Sequence, residues 1–387
     1  MDEICRHFPA CGGCDLIDKP YEEQLAWKQT FCTNLFSRFA VKQFDSIIPS
    51  PEIFYYRNKM DLCVGGGPGG LIAGQRPKTY SSGVIDVQDC KLFMRGLPKI
   101  VAPVTTWAGK SGFSAYEVYK RTGEFRYVIL RHAKASDEVM AILVFALSKE
   151  EFRTCEDKFQ QLGREIEAQG KIASVYVCLN TSRSDNSLTG EVFLLCGKPF
   201  IRERVGTLEY RVSPKIFLQA NTPACEKLYD VISRAAGACK ATVLDLFCGS
   251  GGIALQLAGQ AARVTAVDNS AKNIEDARQN AADNRVANVE FICQDAGEFL
   301  AAAAPSAFDT LVIDPPRQPF SRKMLKSLIA CRPRRIVYVS CNPFNLREDL
   351  KSLVARYAIE RLTPVDMFPH TKHIEVVATL RHHNPGG

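Results

Sequence analysis

A chain of 387 residues, 46% hydrophobic and 24% charged, is long enough for two or three domains with their own cores. No apolar run approaches the roughly 20 residues of a membrane span, and the acidic opening MDEICRHFPACGGC has no apolar stretch of the kind a secretory signal needs. The chain is therefore expected in the cytoplasm, with no membrane partner. A formal charge of +7 permits a polyanionic partner without requiring one, and fifteen cysteines in a reducing compartment read as ligands, a nucleophile and buried filler rather than as a disulfide framework.

Three regions are expected: 1–50, 51–200 and 201–387. The first holds a cysteine cluster and then YEEQLAWKQTFCTNLFSRF, whose apolar residues recur at helical spacing. The second is a strand-rich α+β region. FYYRNKMDLCVG, FRYVILRHA, VMAILVFAL, ASVYVCLN and EVFLLCGK read as strands, and SKEEFRTCEDKFQQLGREIEAQG as a helix between them. Gly65 to Gly74 is expected to be a loop joining two strands, since no Lys-Ser/Thr and no helix follow it as a phosphate cradle requires. From about residue 201, strands and helices alternate. TVLDLF leads to GIALQLAGQ, RVTAVD to AKNIEDARQNAADN, VEFICQD to AGEFLAAAA, and FDTLVID to SRKMLKSLIAC and RIVYVS. This rhythm predicts an α/β fold, a mostly parallel doubly wound sheet whose ligands lie at the carboxyl ends of its strands.

Every polar feature of the last region falls at those ends. DLFCGSGGIAL places Asp245 and Phe247 at the end of one strand, with glycines in the turn that follows. Asp268 ends the next strand about twenty residues on, placed to accept hydrogen bonds from ribose hydroxyls. Asp295 ends the third, where it could meet an adenine amino group, and DPPR with Asp314 ends the fourth. A G-x-G turn with an acid on each of three strands resembles a class I, Rossmann-like S-adenosylmethionine-dependent methyltransferase more than a dinucleotide dehydrogenase. A cationic sulfonium suits an acid-lined pocket better than a pyrophosphate does. Ordinary turn acids are the alternative.

The stretch YVSCNPFNL runs a strand into a thiol, Cys341. Methyl transfer to an exocyclic amine needs no thiol, whereas C5 of uracil is a poor nucleophile until something adds to C6. A cysteine thiolate can add there, and a base must then remove the C5 proton. The candidate base is Glu375, a charge interrupting the otherwise apolar strand HIEVVATL, where a lone buried carboxylate is costly unless paired or used. A buried structural thiol and an edge-strand Glu are the plain alternatives.

With these motifs in order (FLQAN, DLFCGSG, DPPR, SCNP, HTKHIE), nearly the whole chain resembles the RNA uracil-5-methyltransferases. The resemblance implies Cys341 as nucleophile and Glu375 as proton acceptor. It implies Gln219, Phe247, Gly252, Asp268 and Asp295 as S-adenosylmethionine contacts, with Asp314 between cofactor and uracil. Two departures stand out: Gly252 occupies a position where the family often carries Asn, and DPPR is followed by QPF rather than a residue and Gly.

Cys5, Cys11 and Cys14 lie within ten residues, and Cys90 can complete a set of four. Spacing alone leaves zinc and an iron–sulfur cluster open, and C-x5-C-x2-C differs from the C-x3-C-x2-C of radical enzymes. The resemblance implies a [4Fe–4S] cluster, structural or RNA-facing, and a chain without the small N-terminal RNA-binding barrel (the TRAM domain) of some relatives. It favours 23S ribosomal RNA as substrate, with tRNA second, and implies a monomer without a protein partner. Tyr55, Tyr56, Arg57, Asn58 and Lys59 mix aromatic and basic side chains suited to RNA, with a strand carrying a solvated basic face as the alternative, and Arg332, Arg334 and Arg335 read equally as a second phosphate contact or as helix-end cations. A non-catalytic iron–sulfur RNA-binding protein is the competing reading. A DNA cytosine-C5 enzyme fits less well, since its cysteine follows Pro after an earlier strand.

Overall fold

The computed structural model describes residues 4–79, 83–167, 172–237 and 239–383. The first residues of the acidic opening and the last three of the helix expected to end at residue 170 lie outside them. Two compact units form. One comprises Met1–Asp18, Glu52–Arg204 and Tyr210–Lys215, the other Lys19–Pro51, Val205–Glu209 and Ile216–Gly387. The boundary expected at residue 50 therefore differs from the observed one. Helix α1 (Tyr21–Phe36) and strand β1 (Val41–Phe44) belong to the larger unit, and only the cysteine-bearing segment before Lys19 belongs to the smaller.

In the smaller unit, β2 (Lys59–Gly67), β3 (Gly70–Gln75) and β4 (Ile85–Asp86) are followed by α2 (Leu97–Lys110), β5 (Phe125–Ala133), β6 (Glu138–Phe145), α3 (Lys149–Glu167), β7 (Ile172–Leu179) and β8 (Glu191–Gly197). The sheet order is β4-β3-β2-β5-β6-β7-β8, antiparallel except where α3 crosses between parallel β6 and β7. The glycine run expected as a loop is strand on both sides, since Gly65 to Gly67 pair with Gly70 to Ile72 and only Pro68-Gly69 turns. A Cβ on Gly74 would lie 1.7 Å from the Ile85 carbonyl oxygen, so glycine is what lets β3 approach β4. Helix α2 escaped the sequence reading because Pro98 and Pro103 mask its period. Its buried Leu97, Ile100, Val101, Val104 and Ala108 nonetheless form one helical face. Phe125 and Phe145 stack at 4.3 Å inside this core.

The same unit corrects the expected aromatic–basic RNA stretch. Tyr56 is fully buried and Asn58 nearly so, and the Arg95 guanidinium lies 4.4 Å over the Tyr55 ring. Lys59 pairs with Asp61 at 3.0 Å. The aromatic that counts most for stacking is core, not surface.

A ribbon of β9 (Ile201–Val205) and β10 (Leu208–Val212) leads to α4 (Thr222–Ala236), β11 (Thr242–Leu246), α5 (Gly252–Ala258), β12 (Arg263–Asp268), α6 (Ala271–Asp283) and β13 (Val289–Cys293). Then come α7 (Ala296–Ala302), β14 (Thr310–Ile313), α8 (Arg322–Cys331), β15 (Arg335–Ser340), α9 (Pro343–Leu353), β16 (Tyr357–Val365) and β17 (Glu375–His382). With β1 these make an eight-stranded sheet of order β1-β16-β17-β15-β14-β11-β12-β13, parallel except for β17. Its central strands are buried on both faces, which is why they read as unbroken Val/Ile/Leu runs. The strand order reverses between β11 and β14, and such a switch point opens a ligand crevice at the carboxyl ends. At those ends the helices start from side-chain caps: Ser270 for α6, Asp295 for α7, Ser321 for α8 and Asn342 for α9. Arg332 and Arg335 lie at the opposite end, before β15, where Arg332 caps α8 in a left-handed conformation and Arg335 faces Glu360 at 3.8 Å. They are therefore helix-end and strand-start cations at the far side from the crevice.

Candidate active site

The crevice is built by turns. After β11 the backbone enters the left-handed region at Phe247 (φ 62°), Gly249 and Gly251. Glycine makes this easy at two positions, while Phe247 adopts it at a cost that such sites sustain. The Gly249 N–H donates to Asp268 Oδ2 at 3.0 Å, and Asp268 Oδ1 accepts from Ser270 N at 2.9 Å and Asn273 Nδ2 at 3.1 Å. Asp268 is thus locked at the tip of β12. Ser250 Oγ donates to the Phe217 carbonyl at 3.1 Å, which ties the FLQAN segment carrying Gln219 to the glycine turn. Asp295 Oδ1 accepts from Gly297 and Glu298 N–H groups at 2.9 and 3.0 Å. Gly252 opens α5 with Tyr229 against it, and a Cβ there would sit 2.3 Å from the Tyr229 hydroxyl. The Tyr229 hydroxyl therefore fills the space a side chain at 252 would take, a neighbour the sequence reading did not identify.

The pocket is acidic at its base. Asp245, at 0% exposure, has its carboxyl pushed well up by burial and by Asp314 and Asp268, against an Ala254 N–H that favours the ionised form. Burial holds Asp314 at about 7. Three carboxyls crowded at the ends of β11, β12 and β14 make a cation the natural guest, because each is easier to ionise once a positive charge enters.

Cys341 follows β15 in a turn fixed from both sides. Ser340 Oγ donates to the Asn342 carbonyl at 2.9 Å, and Asn342 Oδ1 accepts from Phe344 N at 3.1 Å. Strands β15 and β17 are antiparallel, with Arg335 opposite Arg381 through to Ser340 opposite Val376. The pairing ends there, one residue short of Cys341 on one strand and of Glu375 on the other. Opposed residues of an antiparallel pair lie about 5 Å apart at Cα. The electrostatics agree, since burial first and Glu375 second push the Cys341 thiol up, while the Arg317 charge and a hydrogen bond from Arg317 pull it down. Asn345 Nδ2 holds the Arg317 carbonyl at 2.7 Å. Glu375 is 4% exposed, and burial with the nearby Asp314 raises it to about 8 against the pull of Arg317. The sequence reading gave Arg317 of DPPR no role; the fold turns it into the cation beside the thiol.

The loop that delivers Glu375 is anchored on α1. Lys28, wholly buried, donates to Asp366 Oδ1 at 2.6 Å and to the Phe368 carbonyl at 3.0 Å. Gln24 Oε1 accepts from the His370 backbone N–H at 2.8 Å, and Tyr21 Oη donates to Asp366 Oδ2 at 2.9 Å.

In the smaller unit, residues 10–12 pair with Arg76 to Lys78, and a Cβ on Gly12 would lie 2.9 Å from the Arg76 carbonyl oxygen. Burial, then Cys90, Cys11 and Cys5, push the Cys14 thiol up, so the four sulfurs feel one another, with Arg57 opposing. Cys90 accepts from the Leu92 and Phe93 N–H groups and sits at about 11, and Gly13 N donates to Cys11 Sγ at 3.4 Å. Among the described residues, no set of three or more His, Cys, Asp or Glu converges on a point where one metal ion would sit. None of their helices is long and apolar enough to cross a membrane.

The fold and the acid-lined crevice define a class I S-adenosylmethionine-dependent methyltransferase. A family model for tRNA (uracil-5-)-methyltransferases matches residues 194–383. An uncharacterized RNA methyltransferase of Clostridium tetani is 34% identical over 98% of this chain and 84% of its own length, and one of Thermotoga maritima is 33% identical over 97% and 84%. Among solved structures, the Pyrococcus abyssi tRNA (uracil-54, C5)-methyltransferase in complex with S-adenosyl-L-homocysteine aligns with a TM-score of 0.77 at 29% identity, covering 96% of this chain and 86% of that one. The chain belongs to the RNA uracil-5-methyltransferase family and is an RNA methyltransferase.

Proposed function

We propose that this enzyme methylates C5 of a uridine in RNA through a covalent adduct on Cys341. The observation that supports the reading is the strand register, which ends at Ser340 opposite Val376, the neighbours of Cys341 and Glu375. S-adenosylmethionine supplies an electrophilic methyl group, and Gln219, Phe247, Gly252, Asp268, Asp295 and Asp314 would hold it. The Cys341 thiolate adds to C6, forming an S–C6 bond and pushing charge onto C5, which takes the methyl. Glu375 then accepts the C5 proton, the C–H electrons restore the C5–C6 double bond, and the thiolate leaves. Arg317 stabilises that thiolate at the start and at the end of the cycle, which offsets the penalty of burying it. Glu375, raised to about 8, is a stronger base than an ordinary carboxylate and takes the C5 proton in its ionised form. The target base must leave its stack for C6 to be reached from one face.

Four thiolates from Cys5, Cys11, Cys14 and Cys90 would serve either a single zinc or a cubane that spreads its ligands around its corners. Peptide N–H donors to the sulfurs and Arg57 nearby suit an anionic cluster. A [4Fe–4S] cluster is therefore proposed, in a structural or RNA-facing role. For the substrate, 23S ribosomal RNA in the cytoplasm is proposed from the cysteine cluster. The likeness to the Pyrococcus tRNA enzyme favours transfer RNA as the second reading.

The test is nucleoside mass spectrometry of both RNAs after incubation with S-adenosylmethionine. One new 5-methyluridine is expected, lost by more than about 10³-fold in Cys341→Ala while that variant still binds cofactor. Methylation persisting in Cys341→Ala overturns the covalent route, and which RNA gains the methyl decides the target.

A further inference from the structure

Three aromatic side chains line up beside the nucleophile's turn. Phe344, three residues after Cys341 in the first turn of α9, is 52% exposed. Its ring meets Phe31 edge-on at 5.5 Å, and Phe31 stacks on Trp27 at 5.7 Å with the planes 17° apart. Trp27, one turn before Phe31 on α1, is 39% exposed. Large apolar side chains as open as Trp27 and Phe344 are few among the described residues, and these two bracket one ladder. On α1 this face is opposite in character to the buried polar one, where Gln24 and Lys28 hold the loop before Glu375. The helix thus serves the site with one face and carries an aromatic ridge on the adjoining one.

We infer that this ridge is a stacking platform for unpaired bases of the RNA next to the target uridine. The inference rests on the proposed reading that the uridine is attacked by Cys341. A strand that delivers a base to that thiol must continue past the first turn of α9, which Phe344 occupies. Every base has a π face, so aromatic rings hold single-stranded RNA without demanding sequence, and an exposed tryptophan adds a large rigid surface. The expected stretch around Tyr55 and Tyr56 is buried or engaged within the smaller unit, and the ridge provides the exposed rings that stretch lacks.

The chain has two tryptophans, and the other, Trp107, is packed against Phe113 and Phe159 at 5.6 and 5.2 Å. Trp27 emission therefore reports on the ridge. Single-stranded RNA containing the target uridine is expected to quench it saturably, in the wild-type chain and in Cys341→Ala alike, and Trp27→Phe is expected to remove most of the signal. Trp27→Ala and Phe344→Ala are each expected to weaken RNA binding and raise KM by about 5- to 100-fold. Turnover at saturating RNA and cofactor affinity should stay within about twofold, since stacking is uniform binding. No quench on the native chain overturns the inference, as does unchanged RNA affinity in the folded double variant. Loss of self-association in that variant with RNA affinity intact would make the ridge a protein interface and overturn it equally. If Cys341→Ala still methylates RNA while the quench persists, the covalent reading fails and the platform stands.

Discussion

Glu375 is the residue whose chemistry can be read most directly from its surroundings. A carboxyl raised from 4.5 to about 8 binds a proton in the folded chain that it has lost in the unfolded one across that interval. The unfolded state then holds fewer protons, so stability contributed at this position is full below about pH 4.5 and falls as pH rises through 8. Glu375→Gln, which cannot ionise, is expected to match wild type in stability near pH 4.5. By pH 9 it should exceed wild type by on the order of 3–5 kcal/mol, measured by urea unfolding across the range. A stability difference that does not change with pH contradicts the buried, protonated carboxyl. Cofactor binding should be unaffected, because Glu375 is not among the proposed cofactor contacts.

At the scale of elements, α1 shows how far a helix can depart from an apolar stripe. Its buried residues are Gln24, Lys28, Cys32 and Phe36, polar at one end and apolar at the other. Lys28→Met leaves the Asp366 carboxylate buried without its cation and is expected to destabilise the fold by about 3–5 kcal/mol. Adding Asp366→Asn should recover a large part of that in denaturant titrations, since the unpaired charge is what costs; equal losses in both variants contradict this. The sequence showed α1 as a helix but not its destination, because a Lys at helical spacing looks like a solvated face until Asp366, more than three hundred residues away, is placed against it. By contrast, the alternation from β11 to β15 was legible because a parallel sheet buried on both faces writes continuous apolar runs. The acids at strand ends were legible for the same reason, each standing where a run stops. Helix α4 was missed, although Asn221, Pro223 and Gly237 mark its start and end. Arg317 and Tyr229 were invisible as site residues, since only the fold brings a DPPR side chain to a thiol after β15 or a helix hydroxyl to Gly252.

At the scale of the whole molecule there are two units, each with its own sheet, and the proposed cluster and the proposed methyl transfer fall in different ones. In the smaller unit the proposed cluster ligands Cys5, Cys11 and Cys14 lie on a segment pinned to Arg76–Lys78, and Cys90 lies on the turn after β4. That arrangement predicts iron: anaerobically purified protein is expected to contain about four iron and four sulfide per chain. Cys90→Ser should lose them and lower the thermal midpoint. Stoichiometric zinc with no sulfide contradicts the cluster.

In the larger unit the antiparallel insertion of β17 between β15 and β16 puts the late carboxylate Glu375 at the same end of the sheet as Cys341, the proposed nucleophile. The measurement that reaches this account most directly uses RNA with 5-fluorouridine at the target position and saturating S-adenosylmethionine. Fluorine at C5 cannot leave as a proton, so an enzyme–RNA species should survive denaturation, with the methylated base attached to the Cys341 peptide by mass. Absence of that species, with the corresponding uridine RNA methylated in parallel, contradicts covalent addition by Cys341.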